Sequence, residues 1–300
     1  MACRSLVLSL WLLWPVIMSA QSNPIILGVL EDLPGRYAGD PNFRAVRVLF
    51  RKNGTDWRAL PSDCRTPECL KTISSSYPQE VTWMIAFDGK RLGEVKAHIK
   101  PEFRYYSEIG LQDLPTDSTV PTIGSRSIDY SGFLERPVFR PLVANSKPYF
   151  KDPDTWKPTQ VSPDVSALLR QQFRKKFPKL CRETKPESGK LTPYLYHDDE
   201  VAIRKAYSSR RGWMVANLHL EGIACDDVEA GFDIDDPWFV VSPNKSITHL
   251  DSGIWLVDAG DYDNDGKSEL VFSIDRYNRG GYELFYDDFK KHAIFEFGYH

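Results

Sequence analysis

The chain has 300 residues, 42% of them hydrophobic and 26% charged, which suits a globular protein with a sizeable core and excludes a disordered or collagen-like chain. Its 38 Lys and Arg against 41 Asp and Glu leave a net charge of −3, so no whole-chain basic field exists to grip nucleic acid or an anionic membrane. The 21 Pro and 19 Gly, with 16 Phe, 14 Tyr and 8 Trp, point to many short strands joined by turns, not to a helical bundle.

Residues 1–20 carry one early positive charge, Arg4, then an apolar run from Leu6 to Met18, then Ser19-Ala20 before polar Gln21. This pattern predicts a secretory signal cleaved after Ala20. The run is shorter than the roughly 20 residues needed to span a bilayer, and Pro15 interrupts it. Residues 21–300 are then expected to form a single exported domain, secreted or periplasmic, with no stable membrane insertion. Export makes Cys64, Cys69, Cys181 and Cys225 an even set in an oxidising compartment, with three possible pairings. The short loop between Cys64 and Cys69 favours a local clip there and a longer bridge from Cys181 to Cys225. A metal site is disfavoured, since no C-x-x-C is present.

Branched, apolar runs at 24–30 and 45–50 read as strands. Asn53-Gly54 is a hairpin turn before Trp57 to Leu60, and Asp88-Gly89 joins a second pair, 81–87 with 92–99. Residues 113–160, rich in Pro, Ser, Thr and Asp, read as long surface connections with weak strand content near Val138-Phe139 and 141–143. Ser162 to Phe177 is predicted as a helix, capped by Ser162, begun by Pro163 and stopped by Pro178, with Leu169 and Phe173 on its buried side. Its basic residues Arg170, Arg174, Lys175 and Lys176 read as a solvated face. A third hairpin joins 200–207 to 213–220, and further strands are predicted at 238–241, 254–258, 270–274, 282–286 and 293–297.

The most specific feature is Gly260-Asp261-Tyr262-Asp263-Asn264-Asp265-Gly266-Lys267-Ser268-Glu269, between two strand-like runs. Carboxylates at loop positions 1, 3 and 5 converge on one point. Gly266 permits the sharp turn that faces the Lys267 carbonyl inward, and Glu269 closes the shell. Hard oxygen ligands suit Ca²⁺ better than a transition metal. An EF-hand is excluded because its last ligand position falls on Phe272 and the flanks read as strands. A phosphate-binding loop is excluded by a spacer one residue too long that carries three Asp. Without a cation, four carboxylates so close in sequence repel one another.

The stretch Val257 to Phe272, VDAGDYDNDGKSELVF, resembles the Ca²⁺-binding loop of FG-GAP/VCBS-type repeats, the units of integrin-like β-propellers. The resemblance implies Asp261, Asp263, Asp265 and Glu269 as side-chain ligands and Lys267 as a carbonyl ligand. Glu269 departs from the Asp more frequent at its position, and a single good copy is present where such families carry several. The expected fold is therefore mainly β: an irregular propeller of about five to seven blades with one inserted helix near 162–177, or alternatively a β-sandwich.

Other candidates have plainer readings. Asp233, Asp235 and Asp236 read as an acidic turn, and His197-Asp198-Asp199-Glu200 as an exposed loop with no nucleophile. The C-terminal aromatics Phe285, Phe289, Phe295, Phe297 and Tyr299 read as core strands, not as a sugar-stacking platform. No H-E-x-x-H, G-x-S-x-G or G-x-G-x-x-G is present. The expected function is binding or adhesion outside the cell toward a protein or glycan ligand, on a Ca²⁺-stabilised scaffold. The rivals are a secreted hydrolase or lyase acting on polysaccharide or phosphoester, and a structural component of an envelope assembly.

Overall fold

The structure, a computed structural model, describes residues 24–33, 43–115, 119–129, 135–178, 180–183, 191–194, 196–220 and 236–298. The predicted signal, Cys225, Asp233, Asp235 and Tyr299 lie outside these residues, as does the side chain of Cys181. The chain is mainly β.

Its first part runs through β1 (Ile26–Leu33), β2 (Phe43–Asn53), β3 (Asp56–Ala59), helix α1 (Pro67–Ile73), β4 (Glu80–Phe87), β5 (Lys90–Ile99), β6 (Leu111–Asp113), β7 (Ser125–Asp129), β8 (Glu135–Phe139) and β9 (Leu142–Asn145). The predicted turns form where Gly permits them: Asn53 pairs with Asp56 across Gly54, and Asp88-Gly89 turns with both residues left-handed. These hairpins build a larger object. β1, β9, β4, β5, β6 and β2 are hydrogen-bonded in that order and β2 pairs back to β1, so six strands close into a barrel with β3 at its flank. Closure leaves these six strands without a free edge in the ring. Helix α1 follows from Thr66, whose hydroxyl accepts the Cys69 N–H, and from Pro67 in the first turn. Cys64 and Cys69 are disulfide-bonded as expected, with Cα atoms 5.6 Å apart, and the bond clips the start of this helix.

The second part holds β10 (Lys157–Pro158), α2 (Pro163–Lys176), β11 (Leu180–Glu183), β12 (Leu191–Tyr194), β13 (Val201–Ser208), β14 (Met214–Leu220), β15 (Trp238–Val241) and β16 (Ile247–His249). The last four form an antiparallel meander, with β10 added at its edge. The third part is another meander of β17 (Ile254–Gly260), β18 (Glu269–Arg276), β19 (Arg279–Tyr286) and β20 (Lys291–Gly298).

Alternation along these strands stacks the parts. Val271, Tyr282, Leu284 and Phe295 face the barrel's core, while Leu270, Phe272, Ile274 and Phe285 face Val215, Trp238 and Val240 of the second meander. The opposite face of that meander, with Ala216, Leu218 and Phe239, packs on Leu169 and Phe173 of α2. The order of layers is barrel, four-stranded sheet, five-stranded sheet, helix. Helix α2 buries the two side chains expected, and Ser162 holds the cap position, but its hydroxyl makes no capping bond and its carbonyl takes the Ser166 N–H instead. Of its basic residues, Lys175 and Lys176 are exposed as expected, whereas the two arginines serve the fold: Arg170 donates to the Val201 carbonyl and Arg174 to the Tyr196 carbonyl and Asp198. The described residues thus hold two four-stranded meanders, against the five to seven blades expected, and the first third closes as a barrel. Among the described residues, no helix is long and apolar enough to cross a membrane.

Candidate metal centre

Strands β17 and β18 end their pairing at Gly260 and Glu269, so residues 261–268 form the connection at one end of the four-stranded sheet. The loop is organised by its own carboxylates. Asp261 accepts the N–H groups of Asp265 and Gly266 at 2.9 Å each, Asp263 accepts the Asp265 N–H at 3.2 Å, and Asp265 accepts the Lys267 N–H at 2.8 Å. Gly266, at φ +89°, makes the reversal that a side chain would strain. Asp261, Asp263 and Asp265 each bring an oxygen to within 4.8 Å of the others, so this group can hold a metal ion. An all-carboxylate donor set is the chemistry of a hard cation.

Glu269 stands behind this trio. It is 2% exposed, and its Oε2 accepts the Tyr262 N–H at 2.7 Å. Burial pushes its carboxyl well above the usual range, and Asp263, Asp265 and Asp261 push it further. Asp261 is raised by burial first and by the same neighbours. Four carboxylates packed this way favour a cation in their midst or a proton on one of them.

Three contacts support the loop, two of them from distant segments. Lys52 of β2 reaches out of the barrel to Asp263, with its ammonium 5.3 Å from the Trp57 ring and 5.8 Å from the Tyr286 ring. The stretch 145–156, expected as surface connection, clasps the loop from the other side. Asn145 donates to the Tyr262 carbonyl at 2.8 Å, the Lys151 carbonyl accepts the Asp261 N–H at 2.7 Å, and Asp154, 2% exposed, accepts the Ser268 N–H at 3.0 Å. Arg211 closes on Asp154 with two bonds of 2.5 and 2.8 Å. The third is the side chain of Lys267, which lies 3.1 Å from Asp287 and 3.3 Å from Asp288.

Just before the loop, Asp258 is buried where β17 meets the barrel. Burial raises its pKa to about 7 against the pull of the Ala259 and Asp88 N–H groups and of Arg140. The other acidic candidates are structural. Asp236 pairs with Arg204 at 3.1 Å and His219 at 2.5 Å, and His197 and Glu200 form a reciprocal cap on a short 3₁₀ turn. No family model, curated protein or solved structure matches the chain.

Proposed function

We propose that this is an exported calcium-binding protein that presents a ligand-binding surface on a rigid β scaffold. The observation that carries the reading is the convergence of Asp261, Asp263 and Asp265 at the end of a β-hairpin, with Glu269 outside that group but near enough for their charges to raise its pKa. In this reading Asp261, Asp263, Asp265 and Glu269 supply side-chain oxygens and Lys267 its carbonyl. A bound Ca²⁺ would cancel the repulsion among these groups and fix the end of the sheet. Because residues 145–156 and Lys52 also grip the loop, that order would extend to the barrel and to the second meander.

Export is supported by the sequence of residues 1–20 and agrees with the Cys64–Cys69 disulfide. The FG-GAP/VCBS resemblance draws support from the loop's place between consecutive strands of a four-stranded antiparallel meander, and from the second meander stacked on it. The barrel has no counterpart in a propeller blade, so the resemblance extends at most to the C-terminal sheets. A binding role is favoured over a hydrolase. The cavity between the two meanders has one carboxylate in its lining, Asp288, and Arg211 and Lys267 already hold it.

The test is thermal melting in calcium and in chelator. Calcium at 100 times its dissociation constant should add about 2.7 kcal/mol to the wild type and nothing to Asp263→Ala. Equal melting temperatures under all conditions would sink the proposal.

A further inference from the structure

Between the five-stranded and four-stranded sheets lies a cavity of about 310 Å³. That volume falls in the range of small-molecule sites. Trp213, Phe285 and Phe289 give it aromatic walls, and Ser242, His249 and His292 are among its polar lining groups.

The wall that carries Phe289 is strained. The turn from β19 to β20 passes through Asp287, Asp288 and Phe289 at φ 50°, 57° and 62°, three consecutive left-handed residues without a glycine. A left-handed backbone is costly for a residue that carries a Cβ, and strain of this kind persists only where the surroundings enforce it. Here they do. Lys267 holds Asp287 and Asp288, and the Arg211 guanidinium lies 2.7 Å from Asp288. The turn sets the Phe289 ring 5.4 Å from Trp213 and 6.1 Å from Phe285, so the aromatic wall is built from two distant chain segments.

The polar lining is specific as well. Nδ1 of His292 lies 2.6 Å from Oε1 of Glu283, a residue 1% exposed. The buried carboxyl fixes the ring, whose face stacks on Phe285 at 5.8 Å, and leaves Nε2 as the nitrogen that can meet a ligand. His249 is kept neutral by burial, with its pKa lowered to about 4. Charge inside the cavity is already cancelled, since Asp288 is held by two cations, while Lys290 and Lys291 stand exposed at its rim with Lys291 paired to Asp56. What the interior offers is aromatic surface beside imidazole and hydroxyl groups that can hydrogen-bond. A ligand that matches has an apolar C–H face and a hydroxyl edge.

We propose that this cavity binds a neutral saccharide, with one sugar ring against Trp213 and Phe289 and a hydroxyl bonded to Nε2 of His292. Phe285 is core as the sequence suggests and backs the sugar-binding wall, Phe289 is half-buried and lines it, and Phe295 and Phe297 are core. The proposal names a ligand class for the binding scaffold and meets the calcium loop only through the Lys267 side chain, so it is tested separately from the calcium reading.

The experiment titrates the full mature chain with cellotriose, maltotriose and chitotriose, each followed by tryptophan fluorescence and by saturation-transfer NMR. It is run in calcium and in chelator, and saturable binding in either supports the proposal, so its outcome is separate from that of the metal test. At least one sugar should saturate, and Phe289→Ala should weaken it about tenfold or more, roughly 1.4 kcal/mol. His292→Gln, whose amide can still donate to Glu283, tests the same site from its polar side and should weaken binding while its melting temperature is checked against the wild type. Trp255→Ala, away from the cavity, should leave binding unchanged. Saturation by none of the three sugars at about 10 mM, a dissociation constant beyond useful binding, overturns the proposal. So does affinity left intact in both site variants.

Discussion

The barrel and the acidic loop treat their carboxylates in opposite ways. In the barrel, Glu31 of β1 meets Arg47 of β2 through two bonds of 2.8 and 2.9 Å, and Tyr282 donates to it at 2.8 Å. Arg47 spends a further N–H on the Ile109 carbonyl at 2.6 Å and lies 4.1 Å from the centre of the Phe297 ring. Acid and base answer each other one to one, and the set closes. At the loop, Asp261, Asp263 and Asp265 gather beside Glu269, and among the described residues the one cation to reach the trio is Lys52, at Asp263. The first arrangement needs nothing further. The second is a group that can hold a metal ion.

The largest effect belongs to the closed pair. Arg47→Met leaves Glu31 buried without its partner and should cost about 3–5 kcal/mol, read from the urea midpoint. Replacing both residues by apolar ones, Glu31→Leu with Arg47→Met, should recover most of that loss. A double variant as unstable as the single one would break the contrast, because it would mean that the charge pair itself, not the orphaned acid, carries the stability.

A smaller effect is expected from Asp258, buried at the seam of the two regions with no carboxylate-for-cation match as close as that of Glu31. Its folded pKa, near 7, stands above the ordinary value of 3.8 because of burial. Between those two values the folded chain holds a proton that the unfolded chain has released. Its stabilising contribution is therefore complete below the lower value and is lost as pH rises through the upper one. Urea midpoints of the wild type should fall across this window relative to those of Asp258→Asn, and parallel profiles for the two proteins would contradict the assignment.

Much of the loop was legible in the sequence because its chemistry is local. Alternating acids, a glycine at the reversal and flanking branched residues specify a β-hairpin end with converging carboxylates, and the structure forms that hairpin end. The Asn53-Gly54 and Asp88-Gly89 turns and the buried side of α2 were legible for the same reason. Barrel closure was not. It depends on β9 pairing with β1, more than a hundred residues apart in sequence, and no periodicity within either strand announces a partner. One clue was present: Gly28, inside an apolar strand. A Cβ there would stand 2.5 Å from the Arg47 carbonyl, and the β1–β2 register shifts at that residue, so the glycine marks a bulge with a close backbone approach. Lys52 and Asp154 illustrate the same limit. Each touches the loop from a distant segment, and a lone Lys in a strand or an Asp in a Pro-rich connection has no spacing that predicts such a contact.

The central claim, that the acidic loop is a cation site short of one cation, is tested most directly by calorimetric titration of calcium into wild type, Asp263→Ala and Lys52→Met. The expected result is one ion per wild-type chain, none for Asp263→Ala, and one for Lys52→Met, bound more tightly because the chain's own ammonium no longer competes for Asp263. No saturable heat with the wild type, or an unchanged isotherm for Asp263→Ala, would contradict it.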